Sequence, residues 1–313
     1  MKKKQLLGGA AILAALLLWK GASSNRLTIR CHTLRSAKIT SPIRIAQIAD
    51  LHESRYGDGQ AELLRALRRM KPDLIVITGD IIEDDDSDPR EETVITLDNP
   101  ARPLFEALPM IAPCYMVLGN HECNIPRTDL LCREIEGFGI QVLHRAQSDE
   151  PDMTEELSIK GNRVYICGAD DPYFDKPDLP HKNSLIERMA EDRDRYGKGI
   201  VGWRNRLSCE YADIASDERL TILLSHRPEE FALYRKLGFD AAFSGHAHGG
   251  QWRLPPFING VYAPHQGFFP DHAGGVYEYD GFTHIVSRGL SKKRMVRIFN
   301  RPELWQVDFL PDC

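Results

Sequence analysis

Ala241-Ala242-Phe243-Ser244-Gly245-His246-Ala247-His248-Gly249-Gly250 is a short apolar run that stops in two histidines framed by glycines. The apolar part, residues 241–243, reads as a buried strand. In an extended segment residues i and i+2 point the same way, so His246 and His248 can aim two imidazoles at one place. Four apolar runs upstream end in a similar manner. Residues 43–49 lead into Asp50-Leu51-His52, residues 74–78 into Gly79-Asp80, residues 114–118 into Gly119-Asn120-His121-Glu122, and residues 220–225 into His226. Each motif alone has a plain structural explanation: a turn, a helix N-cap or a core histidine. Five in this order, each after an expected strand, point to one site, because sites in α/β folds gather at strand ends.

Between these strands lie helical patterns. Residues 59–70 put Leu63, Leu64 and Leu67 on one face, residues 103–108 suggest a helix, and residues 127–137 form another that closes on Gly137. Later segments pair as hairpins, 157–160 with 163–167 around Gly161-Asn162, and 275–279 with 283–287 around Asp280-Gly281. Two more helices are expected at 183–195 and 203–214. The class is α/β, two packed sheets with helices outside. The acidic run from Glu83-Asp84-Asp85-Asp86 to Glu91-Glu92 reads as a solvated loop.

The chain has 313 residues, 42% of them hydrophobic, enough for one large domain or two small ones. A formal net charge of -5 argues against a nucleic-acid binder. Seven irregularly spaced cysteines do not suggest a disulfide framework. Lys2, Lys3 and Lys4 precede an apolar run, residues 6–19. That run is short for a spanning helix, which takes about 20 residues, and matches a signal-peptide core in length. Cleavage after Ala22 would place Lys20 where a small residue is preferred. Residues 1–22 therefore read as a membrane anchor or signal segment, with a single uncleaved anchor at the cell membrane as the leading reading. Residues 23–42 read as a basic linker and 43–313 as the catalytic domain. Basic residues flank the run on both sides, so charge does not fix the membrane side.

The candidate ligands are carboxylate, amide oxygen and imidazole, with no thiolate. That set suits Mn, Fe or Zn in a catalytic site rather than a structural zinc. Asp80 is the natural carboxylate to bridge two ions.

Together, Asp50-x-His52, Gly79-Asp80, Gly119-Asn120-His121-Glu122, His226 and Gly245-His246-x-His248 resemble the signature of the calcineurin-like metallophosphoesterase superfamily, from residue 43 to the C-terminus. Gly168-Ala169-Asp170-Asp171-Pro172, Gly249-Gly250-Gln251 and Val286-Ser287-Arg288-Gly289-Leu290 resemble its membrane-associated bacterial branch. Some members of that branch act on phosphodiesters or on the pyrophosphate of a UDP-linked diacylglucosamine. The resemblance implies a four-layer α/β/β/α sandwich of two mixed sheets. It also implies two divalent metal ions, manganese favoured: one on Asp50, His52, Asp80 and His248, the other on Asp80, Asn120, His226 and His246. A bridging hydroxide is then the nucleophile. His121 is not a ligand in the family and protonates the leaving oxygen or steadies the transition state. Glu83 stands where purple acid phosphatases place a tyrosine, and residues 81–85 lack the arginine of the protein Ser/Thr phosphatases. Neither of those activities is expected.

The expected function is a phosphodiesterase or pyrophosphatase on a lipid-linked or nucleotide-sugar substrate. The alternatives are a nucleotide phosphodiesterase or nuclease and a general phosphomonoesterase. A non-enzymatic scaffold fits poorly with an intact ligand set. Residues 183–214 are either a surface excursion or cap helices over the site, with Ile200, Val201 and Trp203 as an apolar lip.

Overall fold

The computed structural model describes residues 21–83, 93–144, 153–173, 185–292 and 296–312. β1 (Thr28–Ser36) and β2 (Ile43–Ile48) are followed by α1 (Ala61–Met70), β3 (Leu74–Thr78), α2 (Arg102–Ala107), β4 (Cys114–Val117), α3 (Asn120–Asn124), α4 (Thr128–Gly137) and β5 (Gln141–Val142). The second half runs β6 (Thr154–Ile159), β7 (Asn162–Ala169), α5 (Leu185–Glu210), β8 (Leu220–Ser225), α6 (Phe231–Leu237) and β9 (Ala241–Ser244). It continues through the short pair β10 (Tyr262–Ala263) and β11 (Gly267–Phe268) to β12 (Gly275–Tyr279), β13 (Phe282–Val286) and β14 (Glu303–Pro311).

The strands form two six-stranded mixed sheets, β1-β14-β2-β3-β4-β5 and β12-β13-β9-β8-β7-β6. Strand alternation sorts the core into three apolar layers. Ile45, Val76 and Val117 of the first sheet meet Ile166, Leu224 and Phe243 of the second between the sheets. The opposite face of the first sheet, with Ile48, Ile77 and Met116, buries Leu63, Phe105 and Ile135 of α1, α2 and α4. Cys167, Leu223 and Ala242 on the outer face of the second sheet lie under Trp203, Leu207 and Tyr234 of α5 and α6. Three apolar layers separate four structural ones, which is the expected sandwich. The central strands are apolar on both faces and therefore read as unbroken hydrophobic runs.

Three expectations change. The segment 23–42, read as a linker, carries β1, which pairs in parallel with β14 along its whole length. It was hidden because it is an edge strand on which Leu34 alone is buried. The two helices expected within 183–214 are one, α5, which runs through Gly197, Gly199 and Gly202. Each glycine costs about 1 kcal/mol of helix propensity, and tertiary packing of Ile200, Trp203 and Leu207 offsets it. Ile200 and Trp203 are thus core residues and not a lip; only Val201 of the three is exposed, at 61%. The turn of the first hairpin is Lys160-Gly161, one residue earlier than expected, since Ile159 pairs with Asn162. The Asn162 side chain is occupied elsewhere, with Oδ1 accepting from the Thr40 and Ser41 amides.

The apolar run 6–19 and the acidic run beyond Glu83 lie outside the described residues, as do residues 174–184. Among the described residues no helix is long and apolar enough to cross a membrane. The described cysteines are free.

Candidate metal centre

The five motifs converge. Ligand atoms of Asp50, His52, Asp80 and His248 lie within 4.8 Å of one another, and so do those of Asp80, His226 and His246. Asp80 belongs to both groups. His52 Nε2 is 3.2 Å from His248 Nε2 and 3.6 Å from Asp80 Oδ2. His226 Nε2 is 3.1 Å from Asp80 Oδ2 and 3.1 Å from His246 Nδ1. His248 Nε2 is 3.7 Å from Asp50 Oδ1. All six side chains are buried.

These residues fit divalent cations. Nitrogens and carboxylate oxygens face one another across 3.1–3.7 Å, a poor arrangement for hydrogen bonds alone. Asp50 Oδ2 and Asn120 Oδ1 are buried with no hydrogen-bond partner among the described residues. A buried oxygen left unpaired is strongly unfavourable unless a cation meets it. Protonation tells the same story. Burial raises the Asp50 carboxyl from 3.8 to about 7. Burial lowers His226, but the carboxylates around it, Asp80 foremost with Asp50 and Asp171, together raise it by more, to about 10. Burial also opposes charge on Asp80, yet His226, then His121 and His52, hold it well below the usual carboxylate range. The cluster holds protons where a cation would otherwise balance its charge.

The backbone that aims these groups is not extended. Asp50, His52, Asp80, His246 and His248 all have left-handed φ, 49°, 46°, 55°, 66° and 46°. The pairs at i and i+2 do converge, but through successive kinks rather than strand alternation. Non-glycine residues hold that region only where the surroundings dictate it. Here they do. The Asp50 amide donates to Gly79 O and the His52 amide to Asp80 O, both at 3.0 Å. The His246 amide donates to Asp50 Oδ1 and the His121 amide to Asp80 Oδ1. Glu122, the last residue of its motif, turns a buried carboxylate on four amides, those of Asp80, Ile81, Ile82 and Gly119. Gly119 must be glycine, since a Cβ there would lie 2.2 Å from Asp80 Oδ1. His226 Nδ1 donates to Thr78 O at 2.7 Å, which turns Nε2 toward Asp80.

The remaining two predicted residues lie on α3. Asn120 opens that helix and His121 follows, its ring 4.9 Å from and edge-on to that of His52. Residues that the sequence reading did not select surround them. Glu83 turns inward, with Oε1 3.1 Å from His52 Nδ1 and Oε2 3.4 Å from His121 Nδ1. Its place in an acidic run concealed this. Arg227 is fully buried; its Nε and Nη2 donate to Asp171 at 2.5 and 2.8 Å, and its Nη1 is 2.8 Å from both His246 Nε2 and His265 Nδ1. Asp171 lies in the quoted 168–172 motif, whereas nothing local marks His265.

The sequence comparisons agree with this geometry. The family model of the calcineurin-like phosphoesterases matches residues 43–250. The chain is 27% identical over 281 residues to the uncharacterized metallophosphoesterase YkuE of Bacillus subtilis, covering 87% of this chain and 82% of that one. It is 24% identical over 288 residues to the UDP-2,3-diacylglucosamine pyrophosphatase LpxG of Chlamydia muridarum, covering 84% and 82%. It is 24% identical over 273 residues to the phosphodiesterase YaeI of Escherichia coli, covering 86% and 83%. A match that begins at β2 and ends at the last histidine loop takes in every motif of the centre, and the chain belongs to the calcineurin-like phosphoesterases, hydrolases of phosphate esters.

Proposed function

We propose that this chain is a dinuclear phosphodiesterase or pyrophosphatase acting on a lipid-linked or nucleotide-sugar substrate, held at a membrane by residues 1–22. The observation that carries the dinuclear reading is the sharing of Asp80 by both ligand clusters. Asp50, His52, Asp80 and His248 hold one ion; Asp80, Asn120, His226 and His246 hold the other, with manganese the favoured metal. Bound there, the ions would supply an activated water and neutralise phosphate charge. The protein's own part is positional. His226 is fixed in one tautomer by Thr78, and Glu122 holds the Asp80 loop in place. Glu83 faces His121 Nδ1, and His121 is the group that gives a proton to the leaving oxygen. The substrate class is supported by the names of relatives that cleave a diester or a lipid-linked pyrophosphate, and by the apolar run 6–19.

The test is Asp80→Asn, purified without chelators and compared with wild type by elemental analysis and by turnover of a soluble diester, a lipid-anchored phosphoester, a monoester and DNA. Loss of both metals and of all turnover is expected. Wild-type metal content and rate in the variant would sink the assignment, and a preference for DNA or monoester in the wild type would replace the substrate.

A further inference from the structure

The loops between β9 and β12, with the stretch between β13 and β14, turn large apolar side chains outward. Trp252, Leu254, Phe257, Phe268, Phe269 and Phe299 are between 45% and 82% exposed, and they are most of the large apolar side chains exposed among the described residues. Their backbones form one connected layer. Arg253 N donates to Ile298 O, Val261 N to Trp252 O and Phe269 N to Val261 O; Leu254 pairs with Ile258. The layer is fastened to the candidate metal centre. Asn300 Nδ2 donates to His248 O at 2.7 Å, and His265 Nδ1 is 3.1 Å from His246 Nε2.

A second, independent contact says what faces this layer. Phe299 N donates to Ala22 O at 2.7 Å. The chain therefore enters the domain beside an exposed phenylalanine of the layer, and the sequence just before that point is the apolar run 6–19. Exposed Arg26 and Arg301 follow closely on either strand of that contact. Aromatic and apolar side chains flanked by arginine are the composition of a protein surface that lies in the headgroup region of a bilayer.

We propose that this layer is a membrane-docking face: Trp252, Phe257, Phe268 and Phe269 enter the headgroup–acyl boundary beside the point where the N-terminal segment arrives, with the metal centre behind them. The inference rests on the membrane placement proposed above, but not on the identity of the substrate. It adds a second lipid contact to the tether and gives the domain a fixed orientation on the surface, which a tether alone would not.

The experiment uses the full chain carrying Trp19→Phe, reconstituted into phosphatidylcholine–phosphatidylglycerol vesicles with plain or brominated acyl chains. Trp203 and Trp305 are buried, so quenching reports on Trp252. Emission should fall in the brominated vesicles, and that fall should vanish when Trp252→Phe is added. Equal emission in the two vesicles overturns the proposal, and crosslinked dimers in the same sample would assign the face to a second copy instead. Quenching without turnover of a lipid-anchored phosphoester leaves the docking face standing and removes the lipid substrate. Turnover without quenching does the reverse.

Discussion

Around Asp80 the interior of the molecule is polar, whereas around Phe257 its exterior is apolar. The first region buries two aspartates and four histidines with left-handed backbone at five of those residues. The second exposes aromatic rings on a hydrogen-bonded loop layer that is itself well formed. Both reverse the usual distribution, and each does so where we propose a contact outside the polypeptide: a cation in one case, a lipid surface in the other. The difference lies in what holds them. The polar region is over-determined by its neighbours, down to the glycines that leave no room for a Cβ. The apolar layer presents surface and is fastened mainly at its base. Substitutions should therefore have large chemical effects in the first region and small structural ones in the second.

The largest effect short of the metal loss expected of Asp80→Asn belongs to His121. His121→Ala should retain its metals yet slow turnover by ~10²–10⁴-fold, with a smaller loss for p-nitrophenyl esters, whose leaving group needs little protonation. An equal loss across leaving groups would reduce His121 to transition-state electrostatics.

Next comes the dependence of the metal-free protein on pH. Asp50, raised by burial from 3.8 to about 7, keeps a proton in the folded chain that the unfolded chain has lost between those values. His226, which burial lowers and the carboxylates of Asp80, Asp50 and Asp171 together raise by more, does the same between 6.5 and about 10. At these two groups the folded state binds more protons in those windows, so each makes stability fall as pH rises. Burial holds His246, His272 and His284 below the ordinary histidine value, which opposes this in acid, so melting of the chelated protein should decline from about pH 7 to about pH 10. Manganese should flatten the decline, because the ligands bind it deprotonated. A chelated Tm that rises between pH 7 and 10 would refute the raised proton affinity of His226.

A smaller change is expected at Glu83. Glu83→Ala should weaken manganese binding or turnover by ~10–100-fold, with partial rescue in Glu83→Gln, as for other groups that orient a metal-ligating histidine. Calorimetric titration with manganese separates the two. Unchanged affinity and rate would return Glu83 to the solvated loop. The smallest effect belongs to the outer layer, where Phe257→Ser with Phe268→Ser should shift stability by no more than ~0.5 kcal/mol. A large fall in Tm would mean that these rings are packed, and the contrast between the regions would fail.

The parts of the molecule legible in the sequence are those written in consecutive residues. Ligand-bearing strand ends are such features, because strand, turn and donor follow one another within ten residues. The Asp280-Gly281 hairpin is another, since β12 and β13 pair across it as expected. Groups joined only by the fold were not legible. Glu83 meets His52 and His121 from a different strand end, and Arg227 meets Asp171 across 56 positions. The continuity of α5 was hidden because its glycines oppose a helix locally while Trp203 and Leu207 hold it through the core. The edge strand β1 alternates only briefly, at Ile29 and Cys31, and is set among basic residues, since it buries Leu34 alone.

The pairing of β1 with β14 has a consequence in time. Thr28 lies opposite Glu303, and β14 also separates β1 from β2, to which it runs antiparallel. A ribosome adding roughly 5–20 residues per second reaches β14 on the order of half a minute after β1 has been made. Until then β1 has no partner in its sheet and β2 presents an open edge, the kind of edge that invites pairing with other chains. Among the described residues the strand nearest the N-terminus is thus closed by the one nearest the C-terminus, and a chain that stops short of Glu303 leaves both edges open.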